Sequence, residues 1–206
     1  MTDSCCDNNL LSGAEASRSA RDHLGVRGFV ALWRGERRTV TELTTDLATV
    51  QALRDAGRLE LGDDGVLVGV HGLVARPTSH RIEHSGGNVH TWCAFDAIGI
   101  PAALGLDATA VTACAHCAAE VRVTFRDGEP GAGAGVRLWV PGGSLSHLVA
   151  DFCRHANLYC NPEHLAAVVS SDQPGRSVDV GEAASIGRHT WRDVAAIGHE
   201  LIEETQ

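Results

Sequence analysis

His90-Thr91-Trp92-Cys93-Ala94-Phe95-Asp96-Ala97-Ile98-Gly99-Ile100-Pro101 sets a thiol and a carboxylate three residues apart in an otherwise apolar run. Read as a helix, the run places positions i and i+3 on one face, so Cys93 and Asp96 become neighbours. Trp92, Phe95, Ile98 and Ile100 anchor that helix in a core. Pro101 has no N–H to continue the ladder and marks its expected end. A free cysteine is most often a small buried hydrophobe. An aspartate beside it is a different matter, because an ionised carboxylate is costly to bury without a partner.

On the N-terminal side, residues 76–90 are polar and rich in turn formers, and read as a linker or a hairpin. His80, His84 and His90 lie in this stretch, but their spacing fits no strong zinc template. Residues 26–75 carry a winged-helix pattern. Val26, Phe29, Val30 and Trp33 share a helical face that Gly35 ends. Thr39-Val40-Thr41-Glu42 has capping-box spacing, and Val40, Leu43, Leu47, Val50 and Leu53 continue a stripe across two helices that ends at Gly57. Leu59-Glu60-Leu61 and Val66-Leu67-Val68 flank Gly62-Asp63-Asp64-Gly65 as a hairpin. A short helix is expected over 14–24, stopping at Gly25, and residues 1–12, with Cys5-Cys6, read as a polar tail.

On the C-terminal side, the segments at 111–113, 121–125 and 136–140 read as strands, and 166–170 is strand-like. Helices are expected over 180–188 and, from the spacing of Trp191, Val194, Ile197 and Leu201, over 191–204. Cys114-x-x-Cys117 is half of a zinc template, but the chain has no second CxxC. Cys153 falls at a strand edge or in a short helix. The expected fold class is α+β, an N-terminal winged-helix-like domain followed by a small, mostly antiparallel sheet packed against helices. The corresponding division is 1–25 tail and short helix, 26–75 winged-helix-like domain, 76–206 catalytic α+β domain.

The composition narrows the function. The chain of 206 residues is 44% hydrophobic and 21% charged, with a net charge of −9. That charge opposes general binding to nucleic acid or anionic membranes. Within 26–75, six arginines face seven acidic residues, so the winged helix lacks the basic face that phosphate contacts need. No run is long enough to span a membrane. Met1 to Asn9 lacks the pattern of a secretory leader, so a cytoplasmic protein is expected. In that compartment seven cysteines suit metal binding or reactivity better than a disulfide framework.

Three segments together resemble the organomercurial (alkylmercury) lyase family. Trp92-Cys93-Ala94-Phe95-Asp96, followed by Pro101-Ala102 and Gly105, is similar to its first catalytic motif. Cys117-Ala118-Ala119 is similar to its structural-cysteine segment, and Phe152-Cys153 with His155 to the segment of its second catalytic thiol. Asp179-Val180-Gly181-Glu182-Ala183 extends the likeness, which covers about residues 26–190 and includes the winged-helix build. Arg154 stands where a family member has a further cysteine, and Cys160 is the extra thiol here.

The resemblance implies protonolysis of a carbon–mercury bond, giving a hydrocarbon and Hg(II), with Cys93, Asp96 and Cys153 as catalytic residues and as ligands of mercury. Mercury is then substrate and product, and no organic cofactor is required. The chemistry suits these residues. Soft metal ions favour thiolates, and a second thiolate makes the departing carbon more carbanion-like. Asp96 near its ordinary pKa of about 3.9 holds no proton at neutral pH, but desolvation and a proton taken from a cysteine would let it act as the acid. Implied partners are the organomercurial, small cytosolic thiols and a mercuric reductase as Hg(II) acceptor. Cys160 is a further candidate for passing Hg(II) onward, and roles for Cys5, Cys6 and Cys114 stay open. Three other readings use the same residues: a winged-helix regulator sensing a soft metal, a zinc-stabilised domain, and a cysteine hydrolase pairing Cys93 with His90 or His155.

Overall fold

A computed structural model describes residues 15–131, 133 and 135–196. The Cys5-Cys6 pair and the expected helix beyond residue 196 lie outside the described residues. The first helix, α1 (Glu15–Trp33), runs straight through Gly25, where a stop was expected. A Cβ on Gly25 would lie 2.0 Å from the His71 ring, and one on Gly28 would lie 3.0 Å from Leu67 and Val70. These glycines permit close packing and do not end the helix. Val26, Phe29, Val30 and Trp33 are all buried. The chain leaves the helix at Gly35, whose φ of +68° is left-handed.

The capping box is present at the next helix, α2 (Val40–Leu43), where the Thr39 N–H donates to Glu42 Oε2 at 2.7 Å. Then α3 (Leu47–Asp55) starts at Asp46, whose Oδ1 accepts the Thr49 N–H at 3.0 Å.

Strands β1 (Leu59–Leu61), β2 (Leu67–Val70) and β3 (Leu73–Val74) follow. The polar stretch over 76–90 contains a hairpin, β4 (Arg81–His84) and β5 (Gly87–Thr91). With β6 (Ala108–Ala113), β7 (Glu120–Arg126) and β8 (Glu129–Pro130) these form one eight-stranded sheet in the order β1-β2-β3-β5-β4-β6-β7-β8. Every neighbouring pair is antiparallel. The sheet is larger than the small one expected, because the hairpin over 59–70 and the polar stretch both join it. Burial alternates strictly along β7, the mark of a sheet with one face solvated.

A second sheet has the order β10-β9-β11, formed by β9 (Arg137–Pro141), β10 (Leu158–Tyr159) and β11 (Gly175–Val178). Residues 166–170 are not a strand but the end of helix α5 (Pro162–Ala166) and the turns after it. Val168 there is 48% exposed, so its apolar character signals no core position.

The central helix is α4 (Ala94–Leu104), in which every residue except Ala103 is buried. A helix apolar all round must be covered on all sides, and α4 lies between the large sheet and α6 (Val180–Thr190). Pro101 stands inside α4 and does not end it. Its fixed φ suits a helix and only one backbone bond is lost, so the helix continues to Leu104 and stops at Gly105, φ +64°. The architecture is mixed α and β, an antiparallel sheet with helices. Among the described residues no helix is long and apolar enough to cross a membrane.

Candidate active site

Cys93 lies just outside the central helix. It is the N-cap of α4, with extended backbone at φ −149° and ψ 174°. Its N–H donates to Asp96 Oδ2 at 3.0 Å, and its thiol donates to the same oxygen at 3.1 Å. The pairing foreseen as one face of a helix is instead a capping box, with cysteine in the place of the usual serine or threonine. The cap is itself pinned. Thr91 Oγ1 donates to the Cys93 carbonyl at 3.0 Å, and the Trp92 N–H donates to the Gly72 carbonyl at 2.8 Å. Gly72 backs onto the carboxylate: its φ is +90°, and a Cβ there would lie 2.9 Å from Asp96 Cγ.

Cys153 arrives from a distant part of the chain, at the end of a π-helical turn, Val149–Cys153. Such wide turns are frequent at functional sites. Asp151 fixes its start by accepting the N–H groups of Ser146 and His147, both at 2.8 Å. Phe152 packs edge-on against Phe95 with ring centroids 5.6 Å apart, a contact worth about 1 kcal/mol beyond its buried area. That contact joins the turn to α4 and brings the second thiol to the first. One ligand atom each from Cys93, Asp96 and Cys153 lie within 4.8 Å of one another. The three side chains are 0%, 5% and 5% exposed.

Asp96 and Cys153 also form part of the wall of a cavity of about 100 Å³ lined by Val26, Phe95, Leu148, Phe152, Trp191 and Val194, with Cys93 fully buried behind them. A space of that size holds several water-sized groups. Arg58, His71 and Asp193 supply its polar rim. Trp191 closes one side, its Nε1–H donating to the His71 carbonyl at 2.8 Å.

Burial pushes the Cys93 thiol well above its ordinary value of 9.0, and the hydrogen bond with Cys153 and the charge of Asp96 push the same way. Cys93 is therefore a thiol at neutral pH until something draws its proton away. Iodoacetamide at pH 7.5 should label Cys93 at least about 100-fold more slowly in the folded protein than in the urea-unfolded chain; labelled peptides read by mass spectrometry check this. The same shift sets a pH dependence. A raised folded pKa contributes stability that is present below the ordinary value and is lost as pH rises through the raised one. Thermal stability should thus decline above about pH 9, and less so in Cys93→Ala.

A second group was not foreseen. Cys114, Cys117, Cys160 and His164 also bring one ligand atom each within 4.8 Å of one another. Cys114 is the buried member at 2% exposure. Cys117, which the likeness to the family implies is structural, lies exposed in the turn between β6 and β7. Cys160 belongs to this group and not to the Cys93 group. The overlooked signal was Cys160-Asn161-Pro162-Glu163-His164, a Cys-x3-His spacing that could complete the CxxC. No histidine joins the Cys93 group among the described residues; His90 Nδ1 instead accepts the Thr78 N–H at 3.2 Å.

Two buried thiols and a buried carboxylate beside a cavity form a donor set suited to a soft metal ion. The alkylmercury lyase family model matches residues 73–192. An alkylmercury lyase of Pseudomonas putida is 29% identical over 203 residues, covering 96% of this chain and 82% of that protein. One of Staphylococcus epidermidis is 27% identical over 144 residues, covering 68% and 65%. In fold the chain is similar to the crystal structure of the mercury-bound form of MerB2, with a TM-score of 0.78 and 18% identity over 89% of this chain and 93% of that one. This chain belongs to the alkylmercury lyase family.

Proposed function

We propose that Cys93 and Cys153 are the mercury-holding thiols of an organomercurial lyase and that Asp96 carries the proton to carbon. The observation that carries this reading is the buried trio, two thiols and a carboxylate within 4.8 Å of one another. An organomercurial enters with a thiolate or other ligand on mercury. One thiol takes that ligand's place, and its proton leaves with the displaced ligand. As mercury also binds Cys93, the Cys93 proton passes to Asp96 Oδ2 along the existing 3.1 Å hydrogen bond. Two thiolates on mercury load the carbon with negative charge, and Asp96 delivers its proton there. The carbon–mercury bond breaks, the hydrocarbon leaves, and Hg(II) stays on Cys93 and Cys153. Two thiol protons are thus accounted for, one on the departed ligand and one on the hydrocarbon.

Small cytosolic thiols then take Hg(II) from the pair, with a mercuric reductase as acceptor, in a cytoplasmic setting. Residues 26–75 act in this reading as a winged-helix-like unit that covers the site, with the catalytic α+β unit beginning at 76. What supports that role is Val26 and Arg58 on the cavity wall. The regulator reading has no support in the comparisons, and its missing basic face counts against it.

Turnover of methylmercury with excess small thiol tests the assignment. Cys93→Ser and Cys153→Ser should each lower methane release by about 10³-fold or more, since the two thiols act as a unit. Undiminished release from Cys153→Ser would remove the second thiol from the mechanism.

A further inference from the structure

We propose that Cys114, Cys117, Cys160 and His164 form a structural zinc site that ties the turn between β6 and β7 to the segment joining β10 to α5. Three cysteines and one histidine are a complete ligand set for a closed tetrahedral zinc. The spacings fit. Zinc–sulfur and zinc–nitrogen bonds of about 2.3 and 2.05 Å at tetrahedral angles require sulfurs about 3.8 Å apart and sulfur and nitrogen about 3.6 Å apart. Cys117 Sγ and Cys160 Sγ are 3.7 Å apart, and Cys114 Sγ and His164 Nδ1 are 3.5 Å apart.

The backbone around Cys114 is shaped for a metal-bound thiolate. The Cys160 N–H donates to Cys114 Sγ at 3.5 Å. A donor aimed at the sulfur holds its negative charge and tunes a bound metal. The turn closes with Ala118 at φ +59°, its N–H donating to the Cys114 carbonyl at 2.9 Å. On the other side, Asn161 caps α5 by accepting the His164 N–H at 2.8 Å, which fixes the histidine relative to Cys160. Thiolates with an imidazole select zinc over hard cations. A Cys117–Cys160 disulfide would instead leave Cys114 and His164 without this use.

The site explains why the chain needs thiols away from the catalytic pair. Cys160 follows Cys153 by seven residues, so a metal gripping Cys160 and His164 steadies the segment that presents the second catalytic thiol. The proposal does not depend on the lyase reading, because its ligands are separate from Cys93, Asp96 and Cys153.

The test is metal analysis of the full chain purified without chelator from zinc-replete cells. About one zinc per chain is expected, unchanged in Cys93→Ala and reduced about 10-fold or more in Cys117→Ser and His164→Gln. Should those variants fail to fold, the wild-type content decides, together with chelation: stripping zinc should lower the melting temperature by about 10 °C, and added zinc should restore it. Zinc below about 0.1 per chain, a native Cys117–Cys160 disulfide in unreduced peptides, or occupancy by Hg(II) alone would each overturn the proposal.

Discussion

Asp96→Asn should lower methane release from methylmercury by about 10³-fold while leaving the fold near wild-type stability. The asparagine keeps an oxygen that accepts the Cys93 N–H, now 3.0 Å from Asp96 Oδ2, so the helix cap survives. It cannot carry a proton from sulfur to carbon. Asp96→Ala should be as inactive and additionally lose the cap, at a cost of about 1 kcal/mol. The variant makes a second readout available. The charge of Asp96 is one of the forces holding the Cys93 proton in place, so Cys93 in Asp96→Asn should react faster with iodoacetamide than in the wild type. Lost turnover with a faster-reacting Cys93 separates proton delivery from simple damage to the site. Turnover within a few-fold of wild type would take the proton-carrying role away from Asp96.

Gly187→Val should produce the largest loss of stability. Helices α4 and α6 cross at Gly99 and Gly187, where a Cβ on Gly187 would sit 2.2 Å from Gly99 Cα and 2.9 Å from its carbonyl oxygen. Those are backbone atoms of a helix buried on all sides and cannot step aside. Overpacking costs about 3 kcal/mol at the upper end of its usual range, which in a chain of this size lowers the melting temperature by about 10 °C. Activity should fall with it, because α4 begins at the Cys93 cap and α6 leads directly to Trp191 on the cavity wall. Urea unfolding of wild type, Gly187→Val and Gly187→Ser checks the size dependence. An unchanged midpoint in the valine variant would show that the two helices are not packed this closely.

Local signals carried much of the fold. Thr39 and Glu42 announce a helix start by chemistry that acts over three residues, and Gly57 at φ +63° ends α3 by its own conformational freedom. Signals whose meaning depends on distant partners misled. Gly25 and Pro101 resemble helix stops, yet one is small to admit His71 and the other fits a helix already held by its surroundings. Val168 and Val169 resemble a strand only because an apolar residue carries no label for exposure.

The candidate site divides in the same way. Cys93 and Asp96 are close in sequence, so their pairing was legible, although the reason is a cap and not a helical face. That Cys153 meets them depends on Phe152 reaching Phe95 across the core, which no spacing reveals, and only the likeness to a family pointed there. His164 was passed over because a CxxC is completed in space by residues more than forty positions away.

The most direct measurement is mass spectrometry of the methane released from methylmercury in D2O with excess deuterated thiol. Wild type should release methane carrying a single deuterium, with one Hg(II) left for each methane, and Cys93→Ala, Cys153→Ala and Asp96→Asn should release almost none. Methane without deuterium, or full release from any of the three variants, would contradict protonolysis by this trio.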